Sequence, residues 1–354
     1  MQPTNDIGLV SVVIPCRNES PHVRRLIRSL MEQETTGFGV EFLIADGMSD
    51  DGTREILSSE AAADPRIRII DNPGRIVSTG LNAAIRGARG DIIVRMDAHT
   101  EYARDYIARC VETLIQTGAD NVGGAPRVRA DSFRLQVLGA AYHSPFAVGG
   151  ARSHNFDYEG YVDSVFYGCW HKSTLDRLGL FDEELVRNQD DELNLRLIRR
   201  GGKVWQSRNI VCWYRPRTTL GSLWRQYLQY GFWKVAVIRK HRIPASWRHL
   251  PPALFVAAAA GLPCAAGLAW AGDFPQLAVE LLRLWLLMLS VYSLASIVAA
   301  LWAARRWQWR VAPVLPLVFA IYHVSYGVGF LLGLVFWTLN GTRPAGSAVT
   351  ALTR

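Results

Sequence analysis

The chain has 354 residues, of which 49% are apolar, and a formal net charge of +8. This apolar content excludes an intrinsically disordered protein, and the length allows one large α/β domain plus a second region. The cations form no lysine and arginine stripe interleaved with aromatic residues, so we predict no nucleic-acid partner and favour contact with anionic lipid. The five cysteines lack zinc-ligand spacing, which favours reduced cytosolic thiols, and we expect no signal peptide.

Apolar runs alternate with amphipathic segments through the first 97 residues. Four runs end at a proline or an acid and are predicted to be strands: 9–15, 40–46, 66–71 and 91–97. The segments that follow the first three runs carry helical patterns: 18–33, 51–62 and 77–88. The alternation predicts an α/β fold with a mostly parallel, doubly wound sheet. Ligands bind such sheets at the carboxyl ends of the strands.

Acids follow two of these predicted strands. Asp46 lies in ADGMSDDGT, whose glycines allow close backbone approach to a flat ligand, although the same residues also suit an ordinary turn. Asp97 and His99 are two residues apart on an extended segment and can face one divalent cation. Such a cation would neutralise a departing nucleoside diphosphate. His99 as an ordinary hydrogen-bonded loop residue is the alternative.

A third acidic cluster begins a predicted helix. Asp190, Asp191 and Glu192 precede a pattern of leucines at helical spacing. The helix dipole favours acids in the first turn, which is a purely structural explanation. The functional explanation is a general base that removes a proton from an attacking hydroxyl.

The region after residue 250 is almost free of charge. Three segments are long and apolar enough to cross a bilayer: 252–272, 277–303 and 311–338. Basic residues precede the first segment and separate the last two, and they indicate the cytoplasmic side: Lys240, His241, Arg242, Arg248, Arg305, Arg306 and Arg310. The third span would then end outside. A buried hairpin of core helices is the alternative, and 219–243 is predicted to be either an interfacial amphipathic helix or a packed helix.

Five segments together resemble the successive motifs of family 2 glycosyltransferases with the GT-A fold. They cover about residues 9–235: VSVVIPCRNE, IADGMSDDGT, VRMDAHTEY, GCWHKSTLDRLGLFDEEL and NQDDELNLRLIRRGG. The apolar C-terminal region further resembles the exopolysaccharide branch of this family. That branch includes succinoglycan-type, membrane-anchored glucosyltransferases that extend a polyprenyl-diphosphate-linked sugar.

The resemblance implies roles for particular residues. Asp190 corresponds to the inverting catalytic base, although Gln189 replaces the preceding glutamate and leaves Asp191 as an alternative. Asp97 and His99 correspond to the metal motif and imply Mn²⁺ or Mg²⁺ as cofactor. Nucleotide-sugar binding is implied for Pro15, Arg17, Asn18, Glu19, Asp46, Asp51, Arg75, Asn82, Asp97, Ala98 and Gly168. The acceptor side is implied to include Phe181, Asp182, Gln226 and Tyr230.

The predicted function is inverting transfer of one hexose, with glucose favoured, from a UDP-sugar to a lipid-linked sugar acceptor. The alternatives are a processive synthase, whose Gln-x-x-Arg-Trp motif is not matched at 226–230, a sugar nucleotidyltransferase and a non-catalytic membrane scaffold. The predicted location is the inner membrane, multi-pass, with the catalytic domain in the cytoplasm and homo-oligomerisation left open. The predicted regions are a GT-A domain at 1–218, an interfacial helix region at 219–250, three transmembrane helices at 251–340 and a tail at 341–354.

Overall fold

The computed structural model describes residues 8–214, 216 and 219–339, which belong to two compact units. The first unit comprises Met1–Val128 and Arg152–Arg215, and the second comprises Arg129–Ala151 and Pro216–Arg354. The predicted tail at 341–354 and the predicted boundary at residue 218 lie outside the described residues. The grouping of 129–151 with the later helices was not predicted from the sequence.

The first unit contains all the strands found among the described residues. They are β1 Leu9–Cys16, β2 Gly39–Asp46, β3 Ile67–Asp71, β4 Ile92–Arg95, β5 Glu101–Tyr102, β6 Asn121–Gly123, β7 Arg127–Val128, β8 Gly160–Tyr161, β9 Cys169–His171, β10 Val204–Gln206 and β11 Cys212–Tyr214. Its helices, numbered along the whole chain, are α1 Ser20–Met31, α2 Thr53–Ala63, α3 Val77–Gly87, α4 Tyr106–Thr117, α6 Lys172–Leu178 and α7 Gln189–Arg199.

The main sheet is mixed, with a parallel half that carries the strands predicted from the sequence. Its order is β3-β2-β1-β4-β9-β6-β10-β8, and the pairs among the first four strands are all parallel. The short β9 runs antiparallel to both β4 and β6. Helices α1, α2 and α4 cover one face, and α3, α6 and α7 cover the other. Burial on both faces explains why β1 and β2 appear as continuous apolar runs. The predicted α/β class is confirmed.

Register aligns the strand ends where the candidate site residues lie. Cys16 at the end of β1 pairs with Asp46, which in turn pairs with Asp71 at the end of β3. The predicted strand 91–97 is shorter than expected because β4 ends at Arg95. Asp97 therefore lies in the loop beyond β4, at the same edge of the sheet as Asp46.

The second unit is helical. It contains α5 Phe133–Tyr142, α8 Leu220–His241, α9 Pro251–Ala271, α10 Pro275–Ala304 and α11 Leu315–Leu339. A capping box between Thr219 and Ser222 begins α8, and prolines begin α9 and α10. Among the described residues, three helical segments are long and apolar enough to cross a membrane: Trp247–Ala271, Pro275–Ala304 and Leu315–Leu339. Their positions agree with the three predicted segments.

Candidate active site

One buried arginine connects the two acidic motifs. Arg95 ends β4, and only 4% of its side chain is exposed. Its Nε donates to Oδ1 of Asp97 at 3.0 Å and its Nη2 donates to Oδ2 at 3.2 Å, which is a bidentate ion pair. Its Nη1 donates to Oδ1 of Asp190. A single guanidinium therefore holds the carboxylate from the loop after β4 beside the carboxylate that begins α7.

Neighbouring groups fix this arrangement. The backbone N–H of Asp97 donates to the Tyr102 hydroxyl at 2.6 Å, and the Arg95 guanidinium lies 5.9 Å from the centre of the Tyr167 ring. Both tyrosines belong to the hydrophobic core. Asp97 and Arg95 are therefore each in contact with a core side chain of the first unit.

Gly168 is required by its conformation and by its neighbours. Its φ of +98° lies in the region that favours glycine, and a Cβ atom there would approach the Trp170 ring to 2.3 Å. Its carbonyl accepts the backbone N–H of Arg95 at 3.0 Å. Gly168 therefore supports the strand end that presents the arginine, next to the region where the resemblance predicts the donor sugar.

Asp190 is electrostatically suited to accept a proton. Burial raises its pKa to about 6; the charge of Arg95 opposes this rise, whereas the charges of Asp97 and Asp191 add to it. Burial lowers the pKa of Arg95, but the charges of Asp190 and Asp97 raise it by more. The net effect is a raised pKa, so Arg95 stays charged. One third of the Asp190 side chain (33%) is nevertheless exposed, so a substrate hydroxyl can reach it. A carboxyl group with a pKa near neutrality is typical of a general base.

The candidate metal ligands form a partial site. The Asp97 side chain is 16% exposed and the His99 side chain is 49% exposed, and His99 Nδ1 lies 3.9 Å from Oε1 of Glu19. Within the described ranges, no three His, Cys, Asp or Glu residues are grouped to hold a metal. Each Asp97 oxygen keeps acceptor capacity beyond its bond to Arg95. A cation bound by Asp97 and His99 would therefore need further ligands, such as the diphosphate oxygens and water that Mg²⁺ usually has in phosphate-transfer sites.

The loops after β1 and β2 are joined by hydrogen bonds. The Asn18 backbone N–H donates to the Ser49 hydroxyl at 2.8 Å, and the Asn18 side-chain oxygen accepts the N–H of Asp50 at 3.0 Å. The Glu19 N–H donates to the Thr53 hydroxyl at 2.8 Å. These predicted nucleotide-binding residues therefore form one continuous loop surface at the carboxyl edge of the sheet.

Asp51 has a structural task in this surface. Its carboxylate accepts the backbone N–H of Thr53 at 3.1 Å, the Thr53 hydroxyl at 2.5 Å and the backbone N–H of Ser20 at 3.1 Å. Although burial acts in the opposite direction, these hydrogen bonds lower the pKa of Asp51 to about 2. Asp51 connects the beginnings of α1 and α2.

Asp51→Ala is expected to reduce the free energy of unfolding by about 1 kcal/mol, because it removes a side chain that pairs with N–H groups at two helix starts. Thermal unfolding of the detergent-solubilised protein measures this change. The matched control is Asp50→Ala, which leaves these three bonds intact and should unfold like the parent protein. Equal unfolding temperatures for both variants would contradict the structural role.

Asp46 is almost completely buried and is engaged by its own loop. Its carboxylate accepts the Ser49 hydroxyl at 2.5 Å and the Arg54 guanidinium at 3.2 Å. Arg54 also donates to Asp71 at 2.6 Å and so joins the ends of β2 and β3. If Asp46 binds the nucleotide base, as the resemblance implies, Ser49 and Arg54 would therefore lie at that contact as well.

Two other predicted site residues are used in packing. The Asn82 amide nitrogen donates to the Phe181 carbonyl at 2.8 Å, and its oxygen accepts the Phe181 N–H at 2.9 Å. The Phe181 side chain is 2% exposed and packs edge-on against Trp170. Asn82 holds the segment before α7 in place instead of presenting its amide to a ligand. Phe181 acts from the core and presents no acceptor surface.

The remaining predicted residues of the first unit lie on several different elements. Pro15 ends the apolar part of β1, Arg17 packs over Gly47, Arg75 is exposed with a left-handed φ of 61°, and Ala98 is buried. Asp182 accepts the N–H of Glu184 at 3.0 Å.

The two other predicted acceptor residues belong to the second unit. Gln226 donates to the Tyr230 hydroxyl at 2.9 Å on one face of α8.

Arg95 is the functional residue that sequence reasoning missed. It lies within the predicted strand 91–97 and has no predicted role there. The available signal was its spacing, because Arg95 and Asp97 are two residues apart and share a side of an extended chain. The contact with Asp190, 95 positions later, has no local signal.

The chain is similar to a known protein family and to several known proteins. The model of the family described as glycosyl transferase family 2 matches residues 11–172. The succinoglycan biosynthesis protein ExoA of Rhizobium meliloti (strain 1021) is 30% identical over 90% of this chain and 93% of its own length. A dolichyl N-acetyl-α-D-glucosaminyl phosphate 3-β-D-2,3-diacetamido-2,3-dideoxy-β-D-glucuronosyltransferase of Methanococcus voltae is 26% identical over 68% of this chain and 77% of its own length.

A solved structure shares the fold. The mannosyltransferase PcManGT of Pyrobaculum calidifontis, crystallised with GDP-mannose and Mn²⁺, has a TM-score of 0.60 at 18% identity over 91% of this chain and 86% of its own. Fold and site together define a sugar transferase of the GT-A class. The chain belongs to glycosyl transferase family 2.

Proposed function

We propose that this enzyme transfers a single hexose, glucose in the first instance, from a UDP-sugar to a polyprenyl-diphosphate-linked acceptor in exopolysaccharide biosynthesis. The contact that carries the proposal is Arg95 holding Asp97 beside Asp190, because it brings a diphosphate-side carboxylate and a base together. The similarity to a succinoglycan biosynthesis protein supports the polysaccharide context. The name of the Methanococcus relative describes a lipid-phosphate-linked acceptor, which supports a membrane-borne substrate.

The proposed reaction is a single displacement with inversion. The acceptor oxygen forms a bond to the anomeric carbon while the bond from that carbon to the diphosphate oxygen breaks. Asp190 accepts the proton from the attacking hydroxyl, and its raised pKa matches that task. Arg95 keeps Asp190 in place and balances the charge of the two carboxylates. Transfer to one face of the sugar from a base fixed on α7 is consistent with inversion of configuration.

A divalent cation would be held by Asp97 and His99. When bound, it supplies positive charge that stabilises the departing diphosphate. The protein itself positions Asp97 through Arg95 and through the Tyr102 hydroxyl.

Asp97→Ala is expected to abolish turnover that depends on added Mn²⁺ or Mg²⁺, because it removes the carboxylate of the Asp97 and His99 ligand pair. Activity titrated against each metal after EDTA treatment measures the effect. His99→Ala should retain turnover but require more metal for half-maximal activity. Full activity of Asp97→Ala in the presence of EDTA would exclude the metal assignment.

The pH dependence follows from Asp190. Since the base acts only when deprotonated, kcat/KM is expected to fall as the pH decreases through about 6. The value of kcat/KM should be measured with saturating metal at about ten pH values between pH 4.5 and pH 8. A flat profile through this range would indicate that another group takes the proton.

The donor, product and location separate the proposal from its alternatives. Titration calorimetry with UDP-glucose, UDP-galactose, UDP-GlcNAc and GDP-mannose identifies the donor. Proton NMR of the product then reports the anomeric configuration, and retention would exclude the displacement described above. Polymeric product would indicate a processive synthase, and pyrophosphate release from UTP and a sugar 1-phosphate would indicate a nucleotidyltransferase. We further propose that catalysis occurs at the cytoplasmic face of the inner membrane.

A further inference from the structure

Helices α8 and α11 of the second unit are packed side by side and run in the same direction. The Tyr227 ring lies 4.0 Å from the Tyr322 ring, and further along the Phe232 ring lies 5.5 Å from the Phe336 ring. Near both helix ends, Nη1 of Arg239 donates to the Trp337 carbonyl at 2.8 Å. Since the partners advance together, the helices are parallel and their carboxyl ends lie next to each other.

Glycines allow the two backbones to touch. A Cβ atom at Gly231 of α8 would lie 2.0 Å from the Tyr326 carbonyl oxygen, and one at Gly329 of α11 would lie 2.0 Å from the Leu228 carbonyl oxygen. Small residues at such positions are typical of closely packed helix pairs in membranes. The two helices are therefore in contact along most of their length, and in a membrane they would lie at the same depth.

This parallel pairing is incompatible with α8 and α11 both crossing a bilayer. The chain passes through α8, α9, α10 and α11 in succession, and helices that cross in succession alternate in direction. The first and fourth of four crossings would be antiparallel. A second possibility is that α11 crosses the membrane and α8 lies beside it inside the bilayer without counting as a crossing. Residues 242–250 would then have to run back through the hydrocarbon to the start of α9, and their only regular structure is the 3-10 turn Trp247–His249. Irregular backbone exposed to lipid is not tolerated there.

The start of α9 gives independent support. A Cβ atom at Gly327, midway along α11, would lie 2.4 Å from the Pro252 carbonyl oxygen in the first turn of α9. If α11 crossed the membrane, α9 would begin in the middle of the hydrocarbon and could not cross it. The apolar window of α11 is also 44% buried, against 17% for α9 and 11% for α10. Protein covers α11 far more than it covers the other two helices.

A polar contact joins α11 to the middle of α10. Nδ1 of His323 pairs with the Tyr292 hydroxyl at 2.9 Å, and Nε2 pairs with the Phe146 carbonyl at 2.9 Å. Phe146 follows α5, whose ten residues are too short to cross a bilayer. Seventeen or so residues of α10 precede Tyr292, and at 1.5 Å per residue they span about 26 Å, close to the hydrocarbon thickness of about 30 Å.

We propose that α9 and α10 alone cross the membrane, as a hairpin, and that α8 and α11 lie together in the lipid interface on the side where α9 starts. The outer surface of this helix pair contacts the lipid layer itself. The exposed apolar residues Leu332, Val335 and Leu339 on α11 suit its acyl region. Basic residues at the end of α8 suit anionic headgroups. The end of α11 thus lies on the same side as residues 239–248, in contrast to the three-span expectation from sequence.

Cysteine labelling in the full-length protein tests this topology. Cys264→Ser removes the exposed cysteine, and the other four cysteines are buried. Into this background one places Leu339→Cys at the end of α11, Trp247→Cys before α9 and Asp273→Cys at the hairpin tip. Intact spheroplasts of a bacterial expression host are then treated with a membrane-impermeant maleimide, before and after permeabilisation. Variants that retain transferase activity are compared.

We expect Leu339→Cys to be labelled under the same condition as Trp247→Cys, and Asp273→Cys to be labelled under the opposite condition. Labelling of Leu339→Cys together with Asp273→Cys would overturn the proposal and restore three crossings. If Leu339→Cys stays unlabelled in both conditions, an epitope fused after Arg354 decides. If protease digests this epitope under the same conditions as an epitope inserted at residue 273, the proposal is overturned. If the two epitopes are digested under opposite conditions, the proposal is supported.

Discussion

The Asp190→Asn variant is expected to lose about 10²- to 10⁴-fold in kcat, because it removes the group that takes the proton from the attacking hydroxyl. The amide is nearly isosteric, and its oxygen can still accept a hydrogen bond from Arg95, so folding and donor binding should be largely preserved. Steady-state kinetics with varied donor, together with calorimetric donor affinity, separates a loss in kcat from a loss in binding. The largest change should therefore be in kcat.

Asp191→Asn is the matched control for this experiment. It alters the next residue in the same turn of α7 and leaves the contact of Arg95 with Asp190 intact. We expect it to keep most of its activity, which resolves the choice between the two acids that sequence reasoning left open. A severe loss in Asp191→Asn with an active Asp190→Asn would assign the base to Asp191 instead.

Arg95→Met is expected to have the second large effect, on stability and on pH dependence together. Removing one partner of a buried ion pair typically costs about 3–5 kcal/mol, since the remaining charges are left uncompensated. The charge of Arg95 lowers the pKa of Asp190, so its loss should raise that pKa and shift the acid limb of kcat/KM to higher pH. Thermal unfolding and a pH profile of the same preparation measure both effects.

Arg95→Lys provides the comparison. Lysine keeps the positive charge but cannot reproduce the planar fork that contacts both carboxylates. It should restore the position of the acid limb more fully than it restores kcat. An acid limb that stays in place in Arg95→Met would mean that the arginine has only a packing role.

The sequence predicted the part of the fold that is buried on both faces. β1 and β2 have uninterrupted apolar runs because helices cover both sides of the parallel half of the sheet. The two antiparallel strands of the main sheet were not predicted, since β8 and β9 have only two and three residues and show no periodicity. The assignment of α5 to the helical unit also lacked a signal, because its apolar residues pack against helices more than 150 positions later in the chain.

The site was predicted at the level of motifs and less well at the level of individual contacts. Asp97 and Asp190 were identified by their positions at a strand end and a helix start. Asn82 and Phe181 were assigned to ligands by resemblance, and the structure uses both to hold the segment before α7. Whether a polar residue near a site faces a ligand or its own backbone depends on distant partners. Neither periodicity nor motif spacing contains that information.

The hydrogen bonds between the loops after β1 and β2 have a consequence for how a nucleotide would be received. Asn18, Glu19 and Ser20 each donate a backbone N–H to a side chain of the opposite segment, at Ser49, Thr53 and Asp51. Hydrogen bonds within the protein hold the two loops together, so capture of a donor would not need to bring them to each other. Association could then proceed at a rate set by encounter, and the slow step of the catalytic cycle would come later, in the chemistry or in the departure of the nucleotide.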